Sequence, residues 1–392
     1  MEKVLNKLSE EQFEAYLKQI RALAEGPFEE IQKEVEVTNK FPQEFFDLAI
    51  ENDLYRCALP TKYGGYGLTP KQIFKVQEEF SRGPGGMRMH LHYAMDLNWR
   101  ILDDFGSEAL KEEYMNKFQD KSVFTCFALT EAEAGSGADI KTMAVKEGDY
   151  YVLNGEKTLI SHTDCCEFAY VIACTNPDAP KDKRLSAFFV PVDTEGYEIV
   201  PMPHMMGCRG AGHAGLRFTN MKLDKKYLLG EEGEGLHIAM HSLGVSRAHI
   251  AVSNLGMSQR MFEMAIARAK DRVTFGKPLV KRQAIQQMIA DMGTEIYALR
   301  QIVYDVASDY EQGKDIEMKA SMAKLHSINT VKLVSDYCLE IFGGIGYFED
   351  NSYGPVERMY RDCRAMWLEE GPRTVQRLTA SRKLIENGGI IE

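Results

Sequence analysis

Val123-Phe-Thr-Cys-Phe-Ala-Leu-Thr130 is a β-prone run at the point where the pattern of the chain changes. Upstream of it the residues read as helix. Leu8, Phe13, Tyr16, Leu17, Ile20 and Leu23 recur at three- and four-residue spacing. That helix is expected to open within Met1-Glu-Lys-Val-Leu-Asn-Lys7, which lacks the apolar core of a signal peptide. Phe45, Phe46, Leu48, Ala49 and Leu54 mark a second helix. Lys62-Tyr-Gly-Gly-Tyr-Gly-Leu-Thr-Pro70 is a glycine-rich connector, and helices are predicted over 70–82 and 88–119, on either side of a break at Ser81-Arg-Gly-Pro-Gly-Gly86.

Downstream the period shortens. Tyr150–Ser161 predicts two strands about an Asn154-Gly155 turn. Phe168–Thr175, Leu185–Val192, Tyr197–Pro201 and Leu216–Leu223 are further short strands, which together predict a small sheet or barrel. From Gly235 the helices return and lengthen. Ile285, Met288, Ile289, Met292 and Ile296 form one apolar stripe, and Met322, Leu325, Ile328, Val331 and Val334 another. Long helices joined by short turns such as Glu311-Gln-Gly313 predict an antiparallel bundle. The fold class is α+β, with units expected at 1–120 (helical), 121–230 (β) and 231–392 (helical).

Composition sets outer limits. The 392 residues carry 47 Lys+Arg against 58 Asp+Glu, a net charge of -11. That balance argues against sequence-independent nucleic-acid binding and against docking on anionic lipid. No 18-residue apolar run exists, so no membrane insertion is expected. The eight cysteines form no CxxC pair, and Cys165-Cys166 are adjacent, so reduced thiols in a cytoplasm are expected. No strand–GxGxxG–helix unit opens the chain and no GxxxxGK[ST] occurs, which disfavours a nicotinamide Rossmann domain and a P-loop. Glu133-Ala-Gly-Ser-Gly-Ala138 follows a strand and by itself reads as a turn. His90 and His92 stand at i, i+2 and face different ways; the other histidines read as packing or surface residues, and no metal is expected.

Several segments resemble the acyl-CoA dehydrogenase family of flavoenzymes, and the resemblance runs end to end. Leu129-Thr-Glu-Ala-Glu-Ala-Gly-Ser136 resembles the family's LTEPGAGS loop, and Leu153-Asn-Gly-Glu-Lys-Thr-Leu-Ile-Ser161 its LNGxKxWIT segment. Leu229-Gly-Glu-Glu-Gly-Glu-Gly235 is similar to LGxEGxG, and Arg272-Val-Thr-Phe-Gly-Lys-Pro-Leu279 with Gln283 to RxxFGxxL and its following Gln. Phe342-Gly-Gly-Ile-Gly-Tyr347, Pro355-Val-Glu-Arg358, Tyr360-Arg-Asp362 and Glu370-Gly371 complete the set.

The resemblance implies an N-terminal helical domain, a central β-domain and a C-terminal four-helix bundle. It implies FAD, an acyl-CoA or enoyl-CoA substrate, electron-transfer flavoprotein as partner, and a homotetramer built as a dimer of dimers. It places Glu370 as the base that takes the α-proton, with its own N–H helping to polarise the thioester oxygen. Phe127, Leu129, Thr130 and Ser161 match flavin-contacting positions. Arg272, Phe275, Gln283, Glu340, Gly343 and Gly344 match positions around the diphosphate and adenosine, reached across a dimer interface. Ser136, Arg247 and Gly371 match positions near substrate.

Four departures stand out. Glu369 replaces the Tyr before the base, Pro372 the Thr after Glu-Gly, Leu159 the aromatic of WIT, and Glu340 the Gln before Gly-Gly. Arg88 has the spacing of an arginine that in glutaryl-CoA dehydrogenases grips a distal carboxylate. Two readings stand for it: it receives an anionic or polar acyl end, or it pairs with a nearby acid. The reaction runs as acyl-CoA dehydrogenation or as enoyl-CoA reduction. A lyase or desulfinase on the same scaffold is disfavoured by the retained Glu370. A flavin-free CoA-binding protein is disfavoured by Thr130, Ser161, Arg272 and Gln283.

Overall fold

Three blocks of secondary structure follow one another in the computed structural model, which describes residues 9–349 and 353–391. The expected helix start within Met1–Lys7, and Leu8, lie outside the described residues. The first block holds α1 (Glu10–Glu25), α2 (Pro27–Thr38), α3 (Gln43–Glu51), α4 (Pro70–Phe80), α5 (Gly85–Met95), α6 (Leu97–Phe105) and α7 (Glu108–Tyr114). α1 and α4 each start on a capping box, Ser9 with Gln12 and Thr69 with Gln72, which satisfies two end amides reciprocally. The single helix expected over 88–119 is divided. Asp96 leaves helical geometry (φ -143°, ψ -89°), and its carboxylate accepts from Arg100 Nη2 at 2.8 Å. Ser107 then caps α7.

α5 also starts earlier than expected, because Gly85 and Gly86 are helical. Both are packing glycines. A Cβ on Gly86 would lie 2.0 Å from the Arg209 carbonyl oxygen, and one on Gly85 would lie 2.6 Å from Asp362 Cβ. Gly86→Ala is therefore expected to destabilise the protein by about 2 kcal/mol or more in denaturant unfolding, since backbone must move. An unchanged midpoint would contradict this close approach.

The second block is an eight-stranded sheet: β1 (Thr125–Ala128), β2 (Met143–Glu147), β3 (Tyr150–Ile160), β4 (Phe168–Cys174), β5 (Leu185–Pro191), β6 (Tyr197–Pro201), β7 (Ala214–Asp224) and β8 (Leu228–Leu229). The order is β6-β7-β3-β2-β4-β5-β8, with β1 parallel to β4. Asn154-Gly155 makes no hairpin. β3 runs straight through it, pairing with β2 on one side and β7 on the other. The β7 register slips between Leu153 and Gly155, a bulge that uses Gly155 at φ 149°. The hairpin turn lies instead at Gly148-Asp149, between β2 and β3, and pairing with both β2 and the distant β7 outweighs the local turn preference of Asn154-Gly155.

The third block is α8 (Gly235–Asp271), a small hairpin of β9 (Val273–Thr274) and β10 (Lys277–Pro278), then α9 (Gln283–Glu311), α10 (Glu317–Phe342), α11 (Val356–Cys363) and α12 (Arg373–Glu386). α8, α9, α10 and α12 form the bundle, centred on residues such as Leu255, Met261, Leu299 and Val331. α4 lies against α8 and α9, and its Phe74 belongs to the bundle's core.

The blocks meet at one buried carboxylate. Asp362 of α11 accepts from Gly85 N at the start of α5 (3.0 Å), from Cys208 N between β6 and β7 (2.6 Å), and from Arg358 Nη1 (3.1 Å). No helix among the described residues is long and apolar enough to cross a membrane.

Candidate active site

Glu369-Glu370-Gly371-Pro372 forms the turn that leads into α12, beside the Asp362 junction. Glu370 and Gly371 both have left-handed backbone, φ 53° and 96°. A non-glycine residue in that region is strained, and it persists only where the surroundings hold it. Side chains do the holding. Lys324 Nζ of α10 donates to the Glu369 carbonyl and to Gly371 O (2.7 Å). Gln376 Nε2 donates to Glu370 O (3.1 Å) and Gly371 O (3.0 Å).

The Glu370 side chain is 13 % exposed and points at α8 and α5. Its Oε1 accepts from Ser246 Oγ at 2.5 Å, and Oε2 has no partner. Ser246 Oγ lies 3.1 Å from His92 Nε2, and the His92 ring stacks on His249. Burial holds both imidazoles well below their usual range, so they are neutral near pH 7. With Ser246 donating to the carboxylate, His92 donates to Ser246. Burial raises the Glu370 carboxyl to about 7, with Glu369 and Asp96 adding to the rise and Lys324 and Ser246 opposing it. The result is a carboxylate poised near neutrality, with one oxygen anchored and the other free to take a proton.

Glu369 points elsewhere. It forms a bidentate pair with Arg88 (Nη1–Oε2 3.0 Å, Nη2–Oε1 2.9 Å). Burial alone would raise Glu369, but Arg88 outweighs it and holds the carboxyl low. Of the two readings of Arg88, the structure contains the pair with an acid. The guanidinium fork is fully buried on Glu369, so it is not open to a substrate carboxylate. Arg247 is also buried; its Nε and Nη1 have no hydrogen-bond partner, and Glu317 Oε1 is 4.0 Å from Nη1.

A second cluster sits at one end of the sheet. Thr158 N donates to Thr130 O (2.9 Å), which brings the end of β3 against the residues after β1. Thr130 Oγ1 and Ser136 Oγ are 2.8 Å apart, and Ser161 Oγ is 3.2 Å from His213 Nε2. Leu129 is buried, its carbonyl accepting from Lys157 Nζ (3.1 Å), and Phe127 is half-buried in β1. Leu159 is 58 % exposed, while the neighbouring His213 and His162 each bury an Nδ1 without a partner. Uncovered apolar surface, flanked by hydroxyls and an unsatisfied imidazole, suits a planar ring with polar edges such as a flavin.

The remaining sequence candidates lie apart from these clusters within one chain. Arg272, Phe275 and Gln283 are exposed on and after the β9–β10 hairpin, Phe275 at 96 %. Glu340, Gly343 and Gly344 are exposed at the end of α10. Among the described residues, His90, His162 and Cys165 bring donor atoms within 4.8 Å of one another. His90 Nε2 is taken by Tyr55 OH (2.7 Å), its ring stacks on Phe124 at 4.1 Å, and the Lys121 ammonium acts on both histidines. A resident cation beside packed rings disfavours a second one.

Ser246, His92, Lys324 and Gln376 were not singled out from the sequence as site residues. Their one signal is a polar side chain on a buried helix face, as Lys324 beside Ala320, Ala323 and Ser327.

A helical–sheet–helical fold, a desolvated carboxylate and an uncovered apolar face edged by hydroxyls are the features of a flavin-dependent enzyme that moves a proton at carbon. The comparisons agree. Family models described as acyl-CoA dehydrogenase N-terminal, middle and C-terminal domains match residues 9–121, 126–221 and 233–385. The chain belongs to the acyl-CoA dehydrogenase family: it is an FAD-dependent oxidoreductase acting on CH–CH bonds. A caffeyl-CoA reductase–Etf complex subunit of Acetobacterium woodii is 35% identical over 91% of this chain and 93% of its own length. A 3-(aryl)acrylate reductase of Clostridium sporogenes is 33% identical over 96% of this chain and 99% of its own. Butyryl-CoA dehydrogenase from Megasphaera elsdenii superposes with a TM-score of 0.91 at 28% identity, covering 97% of this chain and 99% of that one.

Proposed function

We propose that the protein interconverts an acyl-CoA and its 2,3-enoyl-CoA, with Glu370 taking or returning the proton at the α-carbon. The observation that carries this reading is the Glu370 carboxylate itself, one oxygen anchored by Ser246 and the other unpaired. A base with a carboxyl near 7 serves both directions at neutral pH. Bound FAD supplies the hydride acceptor or donor. Phe127, Leu129, Thr130 and Ser161 hold the flavin ring, and Ser136, Arg247 and Gly371 lie along the substrate.

Arg272, Phe275, Gln283, Glu340, Gly343 and Gly344 serve the nucleotide end of FAD in a neighbouring copy, within a homotetramer. Their exposure in a single chain supports this arrangement. The three units are 1–120, 121–230 and 231–392, and the protein works in the cytoplasm with electron-transfer flavoprotein as its partner. The name of the Acetobacterium woodii relative, a subunit of an Etf complex, supports that partner. Two relatives named as reductases favour enoyl reduction. The acyl group is short and carries no charge, because Glu369 already answers Arg88.

The test is anaerobic. Acyl-CoAs of butyryl, glutaryl and 3-arylpropionyl type are added to the oxidised protein, and the matching enoyl-CoAs to the dithionite-reduced one. A member with an uncharged acyl group is expected to bleach or restore the visible flavin band, and glutaryl-CoA to be the weakest. A yellow protein indifferent to every thioester in both directions overturns the proposal.

A further inference from the structure

Lys324 has no exposed surface, although lysine is rarely buried without a charged partner. No carboxylate lies within ion-pair distance of its Nζ among the described residues. Its two bonded acceptors are backbone carbonyls, those of Glu369 and Gly371, one on each side of Glu370. The rest of its buried helix face is small and uncharged: Ala320, Ala323 and Ser327. A buried ammonium has thus been spent on two carbonyls of a strained turn. We propose that Lys324 is the positioning residue of this site: it clamps the turn that carries Glu370 by bridging the carbonyls on either side of it, and it is a cation, with Arg247, that faces that carboxylate.

Geometry and charge point the same way. The turn enters α12 through Pro372, which has no amide hydrogen to contribute. Its left-handed residues are held by Lys324 and Gln376. Gln376 is on α12 itself and moves with the turn, whereas Lys324 belongs to α10 and ties the turn to the bundle. The groups facing Glu370 are Glu369 on its own turn, Lys324 from α10, Ser246 and Arg247 from α8, His92 from α5, and Asp96 between α5 and α6. Asp96 is engaged by Arg100, Glu369 by Arg88, and His92 is neutral; of the two cations left, Lys324 opposes the effect of burial on Glu370 most, and the buried Arg247 guanidinium acts in the same direction. Burial pushes the Lys324 ammonium itself down to about 8, and it is still largely charged at pH 7.

The catalytic arm of this inference rests on the function proposed above, whereas the clamp itself does not. The test uses the FAD-loaded protein with Lys324→Met and Lys324→Gln; the glutamine variant keeps a donor and guards against misfolding of the first. Amide hydrogen exchange over residues 367–373 is expected to accelerate about tenfold in both, with α10 and α12 unchanged and FAD retained. The rate of flavin reduction by acyl-CoA at pH 7 is expected to fall about 30-fold, and its acid limb to move up by about one pH unit, because a charge favouring the ionised base is gone. Wild-type exchange in the turn, or an unmoved acid limb, overturns the inference. So does exchange spread through α10 and α12 with loss of FAD, which marks a merely structural lysine. If wild type reacts with no thioester, the functional reading fails, and the exchange measurement still decides the clamp.

Discussion

Glu370→Gln is expected to lower turnover by about 10³-fold while FAD stays bound, and to make the folded protein more stable at pH 8–9. Both effects have one origin. The Glu370 carboxyl sits at about 7 in the folded chain, against 4.5 as its ordinary value, and burial is the main cause. A carboxyl raised on folding favours the protonated state, so ionising it in place costs stability. The cost is fully present above pH 7, shrinks as pH falls from 7 towards 4.5, and vanishes below that. A shift of this size corresponds to at most about 3 kcal/mol. The amide of the variant leaves its own donors short of partners, so a gain of about 1–2 kcal/mol is expected at pH 8.5 and almost none at pH 5. Thermal melts at the two pH values, beside turnover assays, check this. Undiminished turnover would show that another group moves the proton, and a pH-independent stability change would show that the carboxylate is not desolvated.

Arg88→Met is expected to cost about 3 kcal/mol, the second large effect. Breaking a buried pair leaves a charge without its partner, and Arg88 has no exposed side-chain surface. Glu369 is then stranded as an anion, and its carboxyl rises towards protonation because Arg88 is what holds it low. The loss is accordingly smaller at pH 5 than at pH 8. Replacing both partners, as Arg88→Met with Glu369→Leu, should recover most of the stability, since apolar substitutes for an ion pair are tolerated. Denaturant unfolding of the two single variants and the double decides; additive losses would show that the two side chains do not depend on one another.

Much of the fold is written locally. Tyr197–Pro201 is predicted and found as the same five residues, bounded at its start by the turn that closes on Thr194 O. The bundle's stripes, such as Met292, Ile296 and Leu299, are buried as their spacing requires. Partners that the local pattern does not reveal decide the rest. Asn154-Gly155 reads as a hairpin turn until β2 and β7 are known to lie on either side of it. The interruption at Asp96 carries no glycine or proline, and its buried carboxylate meets Arg100 only four residues on. The site shows the same division. Glu370 is legible because it lies within a motif, whereas the acid that meets Arg88 is 281 residues away in sequence. Lys324 and Ser246 look like interruptions of apolar helices, and only the packing of α10 and α8 against the turn gives them a task.

Asp362 joins the amide of Gly85, the amide of Cys208 and the guanidinium of Arg358, and so draws on each of the three blocks. Separating the first block or the sheet from α11 would leave the buried amide of Gly85 or Cys208 without its acceptor, a cost of about 1–3 kcal/mol each, while Arg358 stays with Asp362 on the same helix. The blocks should therefore melt together in a single cooperative transition. Motion that admits a ligand to Glu370 is therefore expected in loops and side chains rather than between the blocks.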